Sequence, residues 1–274
     1  MGRDRGAAKM LRWMFKHRIA FVILFNTVGW IPFLLVLFTT QAITAWLVFG
    51  MLMSLLSSIL YNSSVETSLT DTAIKQLYEQ CDPYPLLERT TQQLQSKANK
   101  TYRLSLLIDK AFALRSLGRF DEAFSVLSSI QLDQNRSKHR DIRIVYYCNL
   151  VEILIIRGNL VQAHGYNSEL QQMINGLNKV DDNLKKRLSE IPVHNQARLL
   201  FAYGNYYESE ALFRSLSEPQ WNIERVFRYL FYAKLCLKQN RIDEAMPYLQ
   251  YVISNGNKLY DVIEAQELLR GLQG

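Results

Sequence analysis

The stretch LIDKAFALRSLGRFDEAFSVLSSI, Leu107 to Ile130, decides the fold. It reads as two antiparallel helices joined by a corner of three or four residues. Leu107, Ala111 and Leu114 recur at helical spacing on one face of the first helix. Gly118 supplies the stop, because glycine accepts the left-handed conformation that closes a helix. Asp121 and Glu122 place negative charge in the first turn of the second helix, where the macrodipole favours it. That helix turns Ala123, Leu127 and Ile130 toward its partner. Ala111 and Ala123 fall where the two helices cross, and side chains that small let the backbones approach.

The run Gly118-Arg119-Phe120-Asp121-Glu122-Ala123 resembles the tetratricopeptide repeat. One such hairpin cannot bury its own apolar faces, so the resemblance implies neighbours of the same kind. Three more turns align on Gly158, Gly204 and Asn240, and each is followed five positions later by a small residue: Ala163, Ser209 and Ala245. Asparagine is the other residue that accepts a left-handed cap. The units fall near 69–97, 104–130, 145–174, 192–216 and 225–252, with a helix near 259–272 expected to cover the exposed end of the stack. In the second unit Tyr147, Leu154 and Leu170 take the signature positions, and Val151 replaces the small residue. Ala197, Leu200 and Phe213 fill the third; Ala233, Cys236 and Leu249 fill the fourth. Strand-like alternation is absent, and the spacing of the turns is longer and less regular than the usual repeat.

Ahead of this domain the composition changes abruptly. From Ile19 to Val65 there is no charged residue. A spanning helix needs roughly 20 apolar residues, so the run predicts two spans, 19–38 and 42–61, within a membrane domain 19–62. Pro32 inside the first span is tolerable where a neighbouring helix satisfies the freed carbonyl. Gly50, Ser54 and Ser58 form a small-residue stripe on the second. The net charge of +7 sits mainly in the tail, residues 1–18, which carry six basic residues against Asp4. Basic residues before a first span hold the N-terminus in the cytoplasm. Two spans then return the helical domain, 66–274, to the cytoplasmic side of the plasma membrane; a single crossing would put it outside.

The fold expectation is therefore all-α, a two-helix transmembrane hairpin followed by a tetratricopeptide-like α-solenoid. Several function classes lack support in the sequence. The four histidines are scattered, the three cysteines form no C-x-x-C pair, and no phosphate loop or dinucleotide fingerprint occurs. No catalytic residue, metal or cofactor is expected. The one compact basic cluster beyond the tail, Lys185-Lys186-Arg187, is too short for a nucleic-acid face.

The resemblance implies a task. In tetratricopeptide proteins the first helix of each unit lines a concave groove that binds partner peptides. Carried onto this chain, those positions are Ile108, Phe112 and Arg115; Cys148, Glu152 and Ile155; His194, Arg198 and Phe201; and Lys234 and Lys238. The basic members outnumber Glu152, which implies a preference for an acidic segment or a carboxylate. The lysine and asparagine set of the chaperone-tail-binding members does not align. The expected function is a membrane-anchored scaffold or adaptor whose partners are a protein or peptide and the bilayer. The alternatives are a membrane-linked peptide-sensing regulator and, with one span, an extracytoplasmic assembly module.

Overall fold

A computed structural model describes residues 53–54, 71–95, 100–132, 140–177 and 181–273. The chain divides into two units, 1–68 and 69–274, and the fold reported is that of the second. The basic tail and, apart from Met53 and Ser54, both expected spans lie outside the described residues. Among the described residues no helix is long and apolar enough to cross a membrane.

The second unit is all-helical among its described residues. Residues 71–80 form α1, followed by α2 (Tyr84–Gln95), α3 (Lys100–Ser116), α4 (Phe120–Ser128), α5 (Arg140–Ile156) and α6 (Leu160–Asn175). Then come α7 (Asp182–Ala202), α8 (Tyr206–Arg214), α9 (Asn222–Lys238), α10 (Ile242–Asn255) and α11 (Tyr260–Gln273). Consecutive helices pack as hairpins, and α3, α5 and α7 also pack side by side as successive first helices.

Four corners share one hydrogen-bond pattern. Gly118, Gly158, Gly204 and Asn240 all have positive φ, between 62° and 85°. After each, a backbone N–H reaches back over the corner. Arg119 donates to the Leu114 carbonyl (2.9 Å), Asn159 to Leu154 (2.9 Å), Asn205 to Leu200 (2.9 Å) and Arg241 to Cys236 (2.8 Å). This Schellman closure satisfies carbonyls that the helix end would otherwise orphan. The next helix starts at once, and its small residue is buried completely: Ala123, Ala163, Ser209 and Ala245 are each 0 % exposed. Ser209 also donates its hydroxyl to the Ala197 carbonyl across the hairpin (2.7 Å).

The third hairpin begins ten residues before the boundary read from Pro192. Asp181 caps α7 by accepting the Leu184 N–H (3.2 Å), and Asp182 follows in the first turn. Pro192 is buried inside the helix. A proline there removes one hydrogen bond, but packing on both sides carries the helix through. Asn167 of α6 donates to the Pro192 carbonyl (3.0 Å) and accepts from Asn195 (3.0 Å), so a buried amide pair ties α6 to the middle of α7.

The two ends of the array meet. Ala73, Leu77 and Cys81 of the first hairpin share one apolar cluster with Val226, Leu230 and Ala233 of α9 and Leu259 and Ala265 at the C-terminus. Polar contacts surround that cluster. Lys258 donates its N–H to the Cys81 carbonyl (3.3 Å) and its ammonium to Asp82 (2.9 Å), and Asn257 donates to the Gln80 carbonyl (2.8 Å). Tyr78 meets the Trp221 ring edge-on at 5.9 Å. The C-terminal helix thus does more than cover an end. It packs on α9 and α10, and its Tyr260 crosses to the first motif hairpin, edge-on to Phe120 at 5.2 Å. A methyl group at Gly118 would overlap the Tyr260 ring, whereas Gly158 and Gly204 have no neighbour within 4 Å of that position.

These three glycines separate two costs. Gly158→Ala and Gly204→Ala bear only the left-handed backbone penalty, about 1–2 kcal/mol. Gly118→Ala bears the same penalty and also expels Tyr260. Denaturant unfolding of the three variants should rank Gly118→Ala as clearly the most destabilised; equal losses would mean that Tyr260 does not sit over the corner.

Candidate ligand groove

The first helices of the hairpins bring their inner faces to one concave interior. A cavity of about 390 Å³ lies there, walled by Arg115 of α3, Ile155 of α5, Arg198 and Phe201 of α7, Phe227 and Lys234 of α9, and Asp261 of α11. A second, of about 370 Å³, lies toward α1 and is lined by Tyr78, Phe112, Glu152 and Arg228 among others. Arg115, His194 and Phe227 border both cavities.

The polar layer between them is closely paired. Glu152 sits between Arg115, with which it forms an ion pair, and Arg198 at 3.5 Å. The Arg115 side chain is 11 % exposed and that of Glu152 14 %. The Arg115 guanidinium also lies 5.0 Å from the Phe112 ring and 5.5 Å from Phe227, within cation–π range. Its Nε has no hydrogen-bond partner. Burial pulls the Arg115 pKa down to about 10, with the neighbouring Arg198 adding to the shift. Arg198 is lowered for the same reason, burial. Both remain cations at neutral pH.

His194 approaches Glu152 at 3.9 Å, yet this is not an ion pair. Burial, reinforced by Arg198, Arg228 and Arg115, pushes the imidazole down to about 3. The ring is therefore neutral at physiological pH and stacks at a tilt on Phe213, 5.1 Å away. Asp109, farther up α3, moves the other way, up to about 6 through burial.

Of the residues carried over from the resemblance, Arg115, Ile155, His194, Arg198, Phe201 and Lys234 line the larger cavity, and Glu152 and Phe112 join the second. Three line neither cavity. Ile108 is 2 % exposed within the hydrophobic core, because α3 is packed by α2, α4 and α5 together and little of its surface is left for a groove. Cys148 is half-buried against the cluster of Ile144, Leu170, Ile174 and Leu177, which Leu188 and Ile191 of the early part of α7 also join, and burial pushes its thiol up to about 12. Lys238 is exposed in the last turn of α9.

The expected basic excess is also corrected. Lys234 pairs with Glu264 at 2.5 Å, and Asp261 stands among Lys234, Arg198 and Arg115. Burial raises the Asp261 pKa and those cations counter it. Sequence reading missed Tyr260, Asp261 and Glu264 because the helix that carries them was expected at the end of the stack. The signal was present in one form: Tyr260 and Glu264 lie four apart, hence on one helical face. Among the described residues no group of acidic, histidine and cysteine side chains is arranged to hold a metal ion.

Comparison with known protein families, characterised proteins and solved structures finds no match. The functional reading therefore rests on the geometry above and the sequence pattern.

Two measurements probe the polar layer. Glu152→Ala would leave Arg115 and Arg198 buried without their shared anion, a loss of about 3–5 kcal/mol. Unfolding of the variant tests this; a loss below 1 kcal/mol would mean that the pair is solvated. For His194 the folded state resists a proton that the unfolded imidazole takes up near 6.5. Stability from this residue is thus present above pH 6.5 and lost as pH falls toward 3. The stability gap between wild type and His194→Gln should shrink steadily as the solution is acidified from pH 6.5. Asp109 has the opposite sign, since its raised folded pKa favours the fold below about 4 and the gain disappears as pH rises through 6. It is common to both proteins and cancels in the difference.

Proposed function

We propose that the chain is a membrane-anchored interaction scaffold, whose tetratricopeptide-like hairpins present a concave face to a protein or peptide partner. The observation that carries this reading is the convergence of four first helices, α3, α5, α7 and α9, on one space of about 390 Å³ with both aromatic and charged walls. Pockets of this size with a few fixed polar groups among apolar walls are where binding specificity usually resides. The uncharged run from Ile19 to Val65 and the basic tail before it support the anchor, with both the N-terminus and the helical domain on the cytoplasmic side of the plasma membrane. Tethering would raise the effective concentration of the groove for membrane partners.

A second reading is a peptide-sensing regulator. It is favoured by the closure of the array, which makes the interior depend on contacts between its two ends.

Location and binding separate cleanly by experiment. A reporter fused after Gly274 should be active only in its cytoplasmic form; an outward-active reporter would replace this reading with the extracytoplasmic module. Affinity capture from solubilised membranes should yield a partner that is lost with Arg198→Glu plus Lys234→Glu but kept with Lys238→Glu, which lies outside the cavity. Circular dichroism of each variant controls for folding, and capture that ignores the first pair would remove the groove as the binding surface.

A further inference from the structure

The concave face already holds a helix, and the way it holds it specifies what else would fit. Three side chains of α11 line the cavity. Tyr260 lies over Gly118 and edge-on to Phe120. Asp261 stands among Lys234, Arg198 and Arg115. Glu264 pairs with Lys234. The first and third are four residues apart, so they share a face, and the second flanks them. Gly118 is the one hairpin-corner glycine with a ring packed against it, since Gly158 and Gly204 face open space.

The occupant is also an incomplete one. About 390 Å³ remains between α11 and the wall formed by Arg115, Arg198, Phe201 and Phe227, and Arg115 keeps an unpaired buried Nε there. Leu259, before the helix, and Ala265, within it, are buried in the core cluster, and Leu268, Leu269 and Leu272 pack against the same cluster. A helix held this way is exchangeable only for one that brings an apolar face of its own along with its carboxylates.

We infer that the concave face is a receptor for an acidic amphipathic helix with an aromatic residue followed one and four positions later by carboxylates, and that α11 is its resident stand-in. This rests on the interaction-scaffold reading and names its partner. Binding exchanges one helix for another: the partner's aromatic takes the Gly118–Phe120 corner, its carboxylates take Arg198 and Lys234, and α11 leaves. The charge complementarity lies in the fixed cations of α7 and α9, which are left without Asp261 and Glu264 whenever α11 undocks.

The probe is a fluorescent peptide with the sequence Tyr260–Gln273, titrated by anisotropy against the full chain in detergent micelles. The resident helix is loosened by Asp261→Asn with Glu264→Gln. The peptide should bind this variant at least tenfold more tightly than wild type, and a peptide with lysine in place of both acids should not bind. If the loosened chain loses its circular dichroism signal, the reciprocal variant Lys234→Glu with Glu264→Lys keeps the ion pair in reversed order. That chain should take the peptide with lysine in place of Glu264 and reject the native one. Failure of both folded variants to bind, or binding that ignores charge, overturns the inference. So do dimers in which α11 has exchanged between two copies, which would assign the site to this chain's own helix. Competition separates the two levels of the argument. A captured membrane partner that excess peptide does not displace leaves the scaffold standing and overturns the acidic-helix receptor. Charge-dependent peptide binding with no captured partner supports the receptor and removes the scaffold.

Discussion

A hydrogen bond thrown back over a left-handed residue fixes each of the four central hairpins. Its consequence is geometric. The corner occupies three residues, so the second helix must return directly along the first, and a residue at a set distance past the corner is pressed into the crossing. This is why Ala123, Ala163, Ser209 and Ala245 have no exposed surface. Once these crossings are tight, the first helices of successive hairpins lie side by side and their remaining faces converge. Gly118 has a second duty, because the Tyr260 ring occupies the space that a side chain would need. The corner that starts the array also receives the helix that ends it.

The interior that results is polar and closely paired. Burying Arg115, Glu152 and Arg198 together is not a strong route to stability, since desolvation offsets much of the attraction. The arrangement has more value as a constraint. A carboxylate between two guanidinium groups fixes the spacing of α3, α5 and α7, whereas apolar contacts tolerate sliding. His194 belongs to the same layer as a neutral ring, held so by burial with the surrounding cations adding to the effect. Its role there is packing on Phe213 and the walling of both cavities, and it contributes no charge.

What could be read in the sequence were the features with a local cause. A left-handed corner favours glycine or asparagine, and the four at Gly118, Gly158, Gly204 and Asn240 are legible for that reason, whereas the left-handed Cys81 after α1 is not. The small residue five positions later follows from the same geometry. The features that escaped have distant causes. Pro192 suggested a helix start, but the packing of Asn167 and Asn195 carries α7 through it. That extension brings Leu188 and Ile191 to the apolar cluster against which Cys148 packs. Ile108 was lost to the core because three helices surround α3. Above all, no periodicity in Tyr260 to Gln273 states which surface the helix will face. Asp261 and Glu264 look like solvated charges until Lys234, Arg198 and Arg115 are placed around them.

Closure of the array changes what its ends can do. In an open solenoid each repeat touches only its neighbours, so terminal elements fray independently. Here α1 shares a core with α9 and the C-terminal residues, and loss of either end exposes the same apolar cluster. The polar contacts of that junction fall on Asn257 and Lys258, in the turn before α11, and bind them to Gln80, Cys81 and Asp82. The turn is thus pinned independently of the helix that follows it. Ala265 carries the same cluster into α11, with Leu268, Leu269 and Leu272 packed against it, so the helix that faces the cavity is also part of the closure. Any helix that took its place would have to cover that apolar surface as well as meet Lys234, because the site and the closure share one element.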